Sequence, residues 1–277
     1  MEKYLYIDIS SAVLNKILLS GDFSLYEELH AALHNCFYRG KNLTSYFNSG
    51  EMSTNIANGT FKDIYPGDYI IKSVTINGTT YTDVKWIVMD LDYHLHAGDS
   101  DTTTHHLVLM PETILGTRQM NTTNTTEGGY LGSDMWTTHI PLAVTGIETA
   151  FGTSHVLSHR EFLTNAMDVN QRSKAYYGWS GAASNWTWTT VKVNLCNENM
   201  VYGAPIMSSS AYDTGECTKQ LAAFSYNHGL RNSKRQWWWL RAVSHSTDFA
   251  GVAARCIANH VYASNSDGGF RPYFLLR

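Results

Sequence analysis

The chain has 277 residues, a formal net charge of -4 and only 16% charged residues, against roughly 25% in ordinary globular proteins. Thr, Asn, Ser, Gly and Tyr fill the gap. No run of Lys or Arg supplies an electrostatic footprint, so nucleic acid and anionic membrane surfaces are excluded as expected partners. No apolar stretch approaches the ~18 residues that would span a bilayer, so no membrane insertion is expected.

In chain order, residues 10–58 carry the helical signals. Ser24-Leu25-Tyr26-Glu27 reads as a capping box, and Leu25, Leu29, Ala32, Leu33, Cys36 and Phe37 share one face, which predicts an amphipathic helix over 25–37. One or two short helices are expected over 42–58, closed by the turn signal Asn58-Gly59. The segment 1–58 is expected to serve attachment or oligomerisation, the alternative being a cap packed on its own domain; residues 59–277 form the main domain. From residue 69 the period becomes that of strands, over 69–74, 80–89 and 107–110, with Asn77-Gly78 as a hairpin turn between the first two. Helices are expected over 132–137, 141–151 and 159–169, and short strands with long loops from Trp179 onward. Helices flanking a small twisted antiparallel sheet make an α+β fold.

The residue types of a metal site occur at Asp90, Asp92, His94 and His96, with His105-His106 nearby. Strand alternation would put the first four on one face, where N and O ligands could gather. The spacing is unspecific, and a polar loop with a structural His-His step is the preferred reading. His155 and His159 are four residues apart but lack the adjacent Glu and third ligand of a zinc protease. There is no GxSxG, P-loop or GxGxxG, and Glu161 and Asp168 have no evident sequence partner. No enzymatic activity and no cofactor are therefore expected. Cys36, Cys196, Cys217 and Cys256 make no metal-binding spacing and are read as mostly free, buried thiols, with a Cys196 to Cys217 bridge left open.

The most informative block is residues 236–277. It opens with Trp237-Trp238-Trp239-Leu240-Arg241 and closes with Gly268-Gly269-Phe270-Arg271-Pro272-Tyr273-Phe274-Leu275-Leu276. The ends use residues that bury large area or fix the backbone. Trp237, Trp238, Trp239 and Phe274 are expected in the core, with Arg241 and Arg271 organising loops through hydrogen bonds. The stretch 243–267 between them mixes Ser, His, Asp, Ala, Arg, Asn and Tyr, as a displayed contact surface does.

This bracket resembles the end of a C-type-lectin-fold domain of bacteriophage tail proteins from gut bacteria, a group that includes targets of diversity-generating retroelements. Upstream blocks agree in order: Gly59-Thr60-Phe61 with Asp63-Ile64 and Gly67-Asp68-Tyr69, Thr104-His105-His106, Met120-Asn121 through Gly128-Gly129-Tyr130, and Ser154-His155-Val156-Leu157 with His159-Arg160. The resemblance covers roughly residues 55–277. It implies a C-type lectin-like fold, a helix ending at Phe151-Gly152 on a Gly C-cap, and a receptor-binding or adhesin role. The expected partners are a host-cell surface protein or glycan and other phage tail components, in a homo-oligomer for which three copies is the working number. The N-terminus, Met1-Glu2-Lys3-Tyr4, shows no secretory signal, so the expected route is synthesis in the bacterial cytoplasm and release on the virion. The Asn-X-Ser/Thr sequons would then carry no meaning. The expected contact residues are His245, Asp248, Phe249, Gly251, Ala253, Ala254, Arg255, Asn259, His260, Tyr262, Asn265 and Asp267, all types reachable by mutating adenine-containing codons. The calcium-ligating steps of sugar-binding lectins are absent, since Asn185-Trp186 is followed by Thr187. Cys256 stands alone where the oxidising enzymes of this fold place several ligands.

Overall fold

A computed structural model describes residues 31–174, 181–210 and 219–277. The expected capping box at residues 24–27, residues 25–30 of the expected 25–37 helix, Trp179 and Cys217 lie outside the described residues. Of the rest of that helix, residues 31–34 are helical and 35–36 form a turn.

The fold is α+β, with small antiparallel sheets and few helices. Its spine is a five-stranded sheet in the order β1-β4-β5-β12-β8, formed by β1 (Tyr69–Ile71), β4 (Lys85–Leu91), β5 (Leu107–Pro111), β12 (Tyr273–Leu276) and β8 (Val193–Asn194). The central strands are almost continuously apolar because both faces of the sheet are covered. Trp86, Val88, Leu107, Leu109, Phe274 and Leu276 point into one core. Ile87, Met89, Val108, Met110, Tyr273 and Leu275 point into a second. The register matches, with Leu109 between Val88 and Phe274. A register shift between Val88 and Asp90 then turns the Asp90 carboxylate toward the second core's side.

Asn77-Gly78 does form the expected hairpin, joining β2 (Val74–Ile76) to β3 (Thr79–Tyr81). Both turn residues have positive φ, 49° and 74°, as a type I′ turn requires. The first core is roofed by α3 (Ile140–Phe151), which follows α1 (Thr44–Asn48) and α2 (Glu51–Ala57) in the chain. Ile140, Ala143, Ile147 and Phe151 are its buried stripe, and it ends on Gly152 at φ 95° as expected. The two helices expected over 132–137 and 141–151 are instead one run, in which a π-helical turn over Met135–His139 passes directly into α3. Pro141 has no N–H and its ring crowds the carbonyl four residues back, which accounts for the widened turn just before it. The second core is covered by α4 (Glu198–Tyr202) and α5 (Ala222–Tyr226).

Residues 31–58 are not a separate module. Ala31, Leu43, Phe47, Met52 and Ile56 belong to the first core, and the Leu43 N–H donates to the Tyr69 carbonyl at 2.7 Å. This part of 1–58 packs against the first core.

The helix expected over 159–169 is a correction: His159–Asp168 is strand β6, paired antiparallel with β7 (Ala182–Val191) in a long two-stranded ribbon. Glu, Leu, Ala and Met favour helix, but Phe162-Leu163 and Ala166-Met167 are equally compatible with a strand carrying a bulge. Pairing with the Trp- and Thr-rich β7 outweighs the local propensity. The remaining sheet has the order β11-β10-β9, made by β9 (Trp238–Val243), β10 (Asp248–Val252) and β11 (Ala258–Tyr262).

Candidate functional site

The three-stranded sheet carries most of the expected contact segment. Its inner strand β9 divides two cores: Trp239 and Val243 lie in the first and Trp238, Leu240 and Ala242 in the second. As expected, Arg271 is a buried organiser. Its Nε donates to the Pro111 carbonyl at 2.9 Å and its Nη1 to the Leu230 carbonyl at 2.7 Å, while the guanidinium lies 5.0 Å from the Trp238 ring centroid. Burial pulls its pKa down to about 10. The glycine pair lies against the same frame. Gly269 bridges to Trp238 and Thr117, and a Cβ on it would meet the Trp237 carbonyl oxygen at 2.6 Å.

The contact residues divide by strand position. β10 lies between β9 and β11, and it is buried along its whole length. Asp248 and Phe249 are therefore corrections: Phe249 sits in the first core, and Asp248 is buried while accepting from the Thr247 hydroxyl at 2.8 Å. Neither can meet a macromolecular partner. Gly251 is also buried, with its side open to a pocket. The outer strand and the turns are more open. Arg255, Asn259, Tyr262 and Asp267 are exposed, and His245, Ala253, Ala254, His260 and Asn265 are half-buried. The turn between β10 and β11 is closed by Ala253 N–H to the Ile257 carbonyl, 2.8 Å, and Cys256 N–H to the Ala253 carbonyl, 2.9 Å. Cys256 takes the left-handed position, φ 66°.

Above this surface opens a pocket of about 240 Å³ lined by Trp237, Gly251, Val252, Ala253, Ala254, Asn259, Val261 and Asn265. Five of the expected contact residues thus share one concavity. Trp237 is the residue that sequence reasoning placed elsewhere. Its ring packs edge-on against Trp239, centroids 4.9 Å apart at 78°, but it remains half-buried and forms a wall of the pocket. The signal was its place one residue ahead of β9, where the sheet no longer covers it. The two carboxamides are oriented by the backbone. Asn259 Oδ1 accepts the His260 N–H at 3.0 Å and Asn265 Oδ1 the Asp267 N–H at 2.9 Å. That arrangement leaves the amide NH2 groups as donors beside an indole and small apolar side chains, a composition suited to anchoring an uncharged group.

The Asp90 to His106 constellation does not gather. β4 ends at Leu91, and Asp92 and His96 adopt positive φ, so the alternation that would align them is lost. Asp90 accepts from the Ala222 N–H, Lys219 and Asn35. Asp92 instead bonds His105 Nδ1 at 2.7 Å and the His106 N–H at 2.9 Å.

A different buried set forms where four strands and a loop converge. Ligand atoms of His94, His159 and Glu161 lie within 4.8 Å of one another, and the residue types are those of a metal site. The carboxylate is already committed. Its Oε1 accepts from His159 Nε2 at 3.0 Å, Asn194 Nδ2 at 3.1 Å and the Tyr273 hydroxyl at 2.5 Å, and its Oε2 pairs with Arg241. A cation there would compete with a buried guanidinium for one negative charge. The arrangement is that of a knot tying β6, β8, β9 and β12 together.

Burial holds His94 well below its ordinary pKa of 6.5 and His106 down to about 3. The sign follows directly. Below pH 6.5 the unfolded chain takes up protons that these two native histidines refuse, so stability falls with pH. Denaturant titrations should show stability lower at pH 5 than at pH 7, with His106 alone accounting for about 2 kcal/mol, and the acid loss should shrink in His106→Gln.

No family model, curated protein or solved structure matches the chain.

Proposed function

We propose that this is a non-enzymatic receptor-binding protein with a C-type lectin-like fold, carried on a phage tail, whose β10–β11 hairpin and following loop contact a surface protein or glycan of the host cell. The observation that carries the reading is the coincidence of the sequence's permissive segment with an open pocket and an exposed outer strand, set on a frame buried on both faces. Such a frame lets contact residues vary without loss of fold, which is what retroelement diversification demands. The reduced contact set is His245, Ala253, Ala254, Arg255, Asn259, His260, Tyr262, Asn265 and Asp267, with Trp237 and Gly251 as fixed parts of the pocket.

The test is host-cell pull-down with the purified protein and with a variant in which Asn259, His260 and Tyr262 are all changed to Ala. All three lie on the outer strand, so the thermal midpoint should hold, each surface change staying within about 0.5 kcal/mol. Capture should drop at least tenfold. Unchanged capture by a folded variant would move the site elsewhere. On the genomic side, a near-identical template repeat differing at template adenines is the expected companion of diversification.

A further inference from the structure

We infer, in an extension that rests on the receptor-binding reading, that the pocket beside Trp237 holds one uncharged pyranose ring with a methyl-ended substituent. The guest is a 6-deoxy or N-acetyl sugar of a surface glycan, bound without calcium. The concavity measures about 240 Å³, below the roughly 300–1,000 Å³ of sites that enclose drug-sized molecules, so it admits a single small ring. No ionisable side chain lines it. A carboxylate, phosphate or ammonium group would therefore leave water for a site with no counter-charge. Calcium would find no carboxylate ligand there.

The walls discriminate among uncharged guests. Trp237 supplies an apolar aromatic wall. Asn259 and Asn265 each hold Oδ1 on a backbone N–H, at 3.0 and 2.9 Å, which leaves their NH2 groups as donors. An aliphatic or aromatic side chain of a protein partner would cover those donors and leave hydrogen bonds unmade. A pyranose meets both demands in one ring: hydroxyl oxygens around its edge accept from the carboxamides, and its C–H face lies on the indole. Ala253, Ala254 and Val261 present methyl groups to the remaining space, where an acetyl or C6 methyl is the matching substituent. Gly251 makes the floor. A Cβ there would stand 3.5 Å from Val261 Cγ2 and 3.8 Å from Trp237 Cε3, so the space between these two side chains exists because residue 251 carries none. The choice of guest belongs to the present occupants of 253, 254, 259 and 265, and exchanging them would change it while Trp237 and Gly251 stay.

The test is calorimetric titration of the full-length protein, in EDTA, with methyl α-L-fucopyranoside, methyl α-L-rhamnopyranoside and methyl N-acetyl-β-D-glucosaminide, and with methyl β-D-glucuronide as the charged control. At least one of the first three should bind with a Kd on the order of 1 mM, as suits a ligand of so few atoms, and should block host-cell capture. The glucuronide should bind at least tenfold more weakly, and calcium in place of EDTA should change nothing. Asn259→Ala combined with Asn265→Ala should weaken the sugar at least tenfold. Gly251→Ala should do the same with the thermal midpoint held, since the added methyl is crowded only by the Trp238 carbonyl oxygen at 3.2 Å, and this variant leaves the turn at Asn265 intact. No binding of any neutral sugar, equal binding of the glucuronide, a requirement for calcium, or binding unchanged in both folded variants would each overturn the inference. If the sugars fail while the variant changed at Asn259, His260 and Tyr262 still loses capture, the pyranose falls, the receptor-binding reading stands and the guest is a polypeptide. Normal capture by that variant would remove the receptor-binding reading itself.

Discussion

Glu161→Gln is expected to cost about 3–5 kcal/mol of stability, the range for a buried charge left without its partner. Glu161 and Arg241 are both buried, and no other counter-charge faces the Arg241 guanidinium among the described residues. A glutamine keeps the shape and one acceptor oxygen. Its NH2 group, however, must face either Arg241 or the side held by His159, Asn194 and Tyr273, where the Asn194 NH2 is fixed as a donor because its Oδ1 accepts from Tyr130 and Leu195, so a donor meets a donor in either rotamer. The loss should appear as a lower denaturant midpoint. Removing the guanidinium as well, in Glu161→Gln with Arg241→Met, should recover part of it, with a coupling of about 1–3 kcal/mol. Additive losses would mean that the two groups do not depend on each other.

Gly268→Ala is the second large effect. A Cβ at this position would fall inside the Trp239 indole. The ring cannot retreat easily, because its Nε1 donates to the Arg118 carbonyl at 2.7 Å, and the Arg118 N–H in turn donates to the Gly268 carbonyl at 2.8 Å. Overpacking a fixed core position costs about 1–3 kcal/mol, and the locked ring puts this site at the upper end. Scanning calorimetry should show a drop of roughly 6–12 °C for ~3 kcal/mol in a chain of this size. Since Trp239 supports Trp237, the pocket wall should move too and ligand capture should weaken. Asp267→Ala next door, on an exposed side chain, should leave the midpoint within about 1 °C.

Local sequence carried the features that depend on neighbours in the chain. Asn77-Gly78 specifies its turn through two positive φ angles, Gly152 ends α3, and the apolar runs at 85–91 and 107–111 mark strands. The C-terminal frame was also legible, because Trp238, Trp239, Gly268, Gly269 and Arg271 admit few environments other than a tight core. What escaped depends on partners far away in sequence. β6 becomes a strand because β7 pairs with it across a long connection, against the helix-favouring residues at 161–167. Glu161 had no visible partner because Arg241, Asn194 and Tyr273 are supplied by three other strands. Within the contact segment, residue type could not separate Phe249 from Tyr262. One lies on a strand flanked on both sides and the other on the edge, and sheet order is not written in composition.

The claim that a fixed frame holds a variable contact surface is tested most directly by paired single-site libraries across residues 245–271, scored for both folded yield and host-cell capture. Substitutions at 253–255, 259, 260, 262, 265 and 267 should keep folded yield while shifting capture. Those at Phe249, Gly268, Gly269 and Arg271 should lose both together. If the first group loses folded yield as readily as the second, or keeps wild-type capture throughout, the hairpin is not the contact surface.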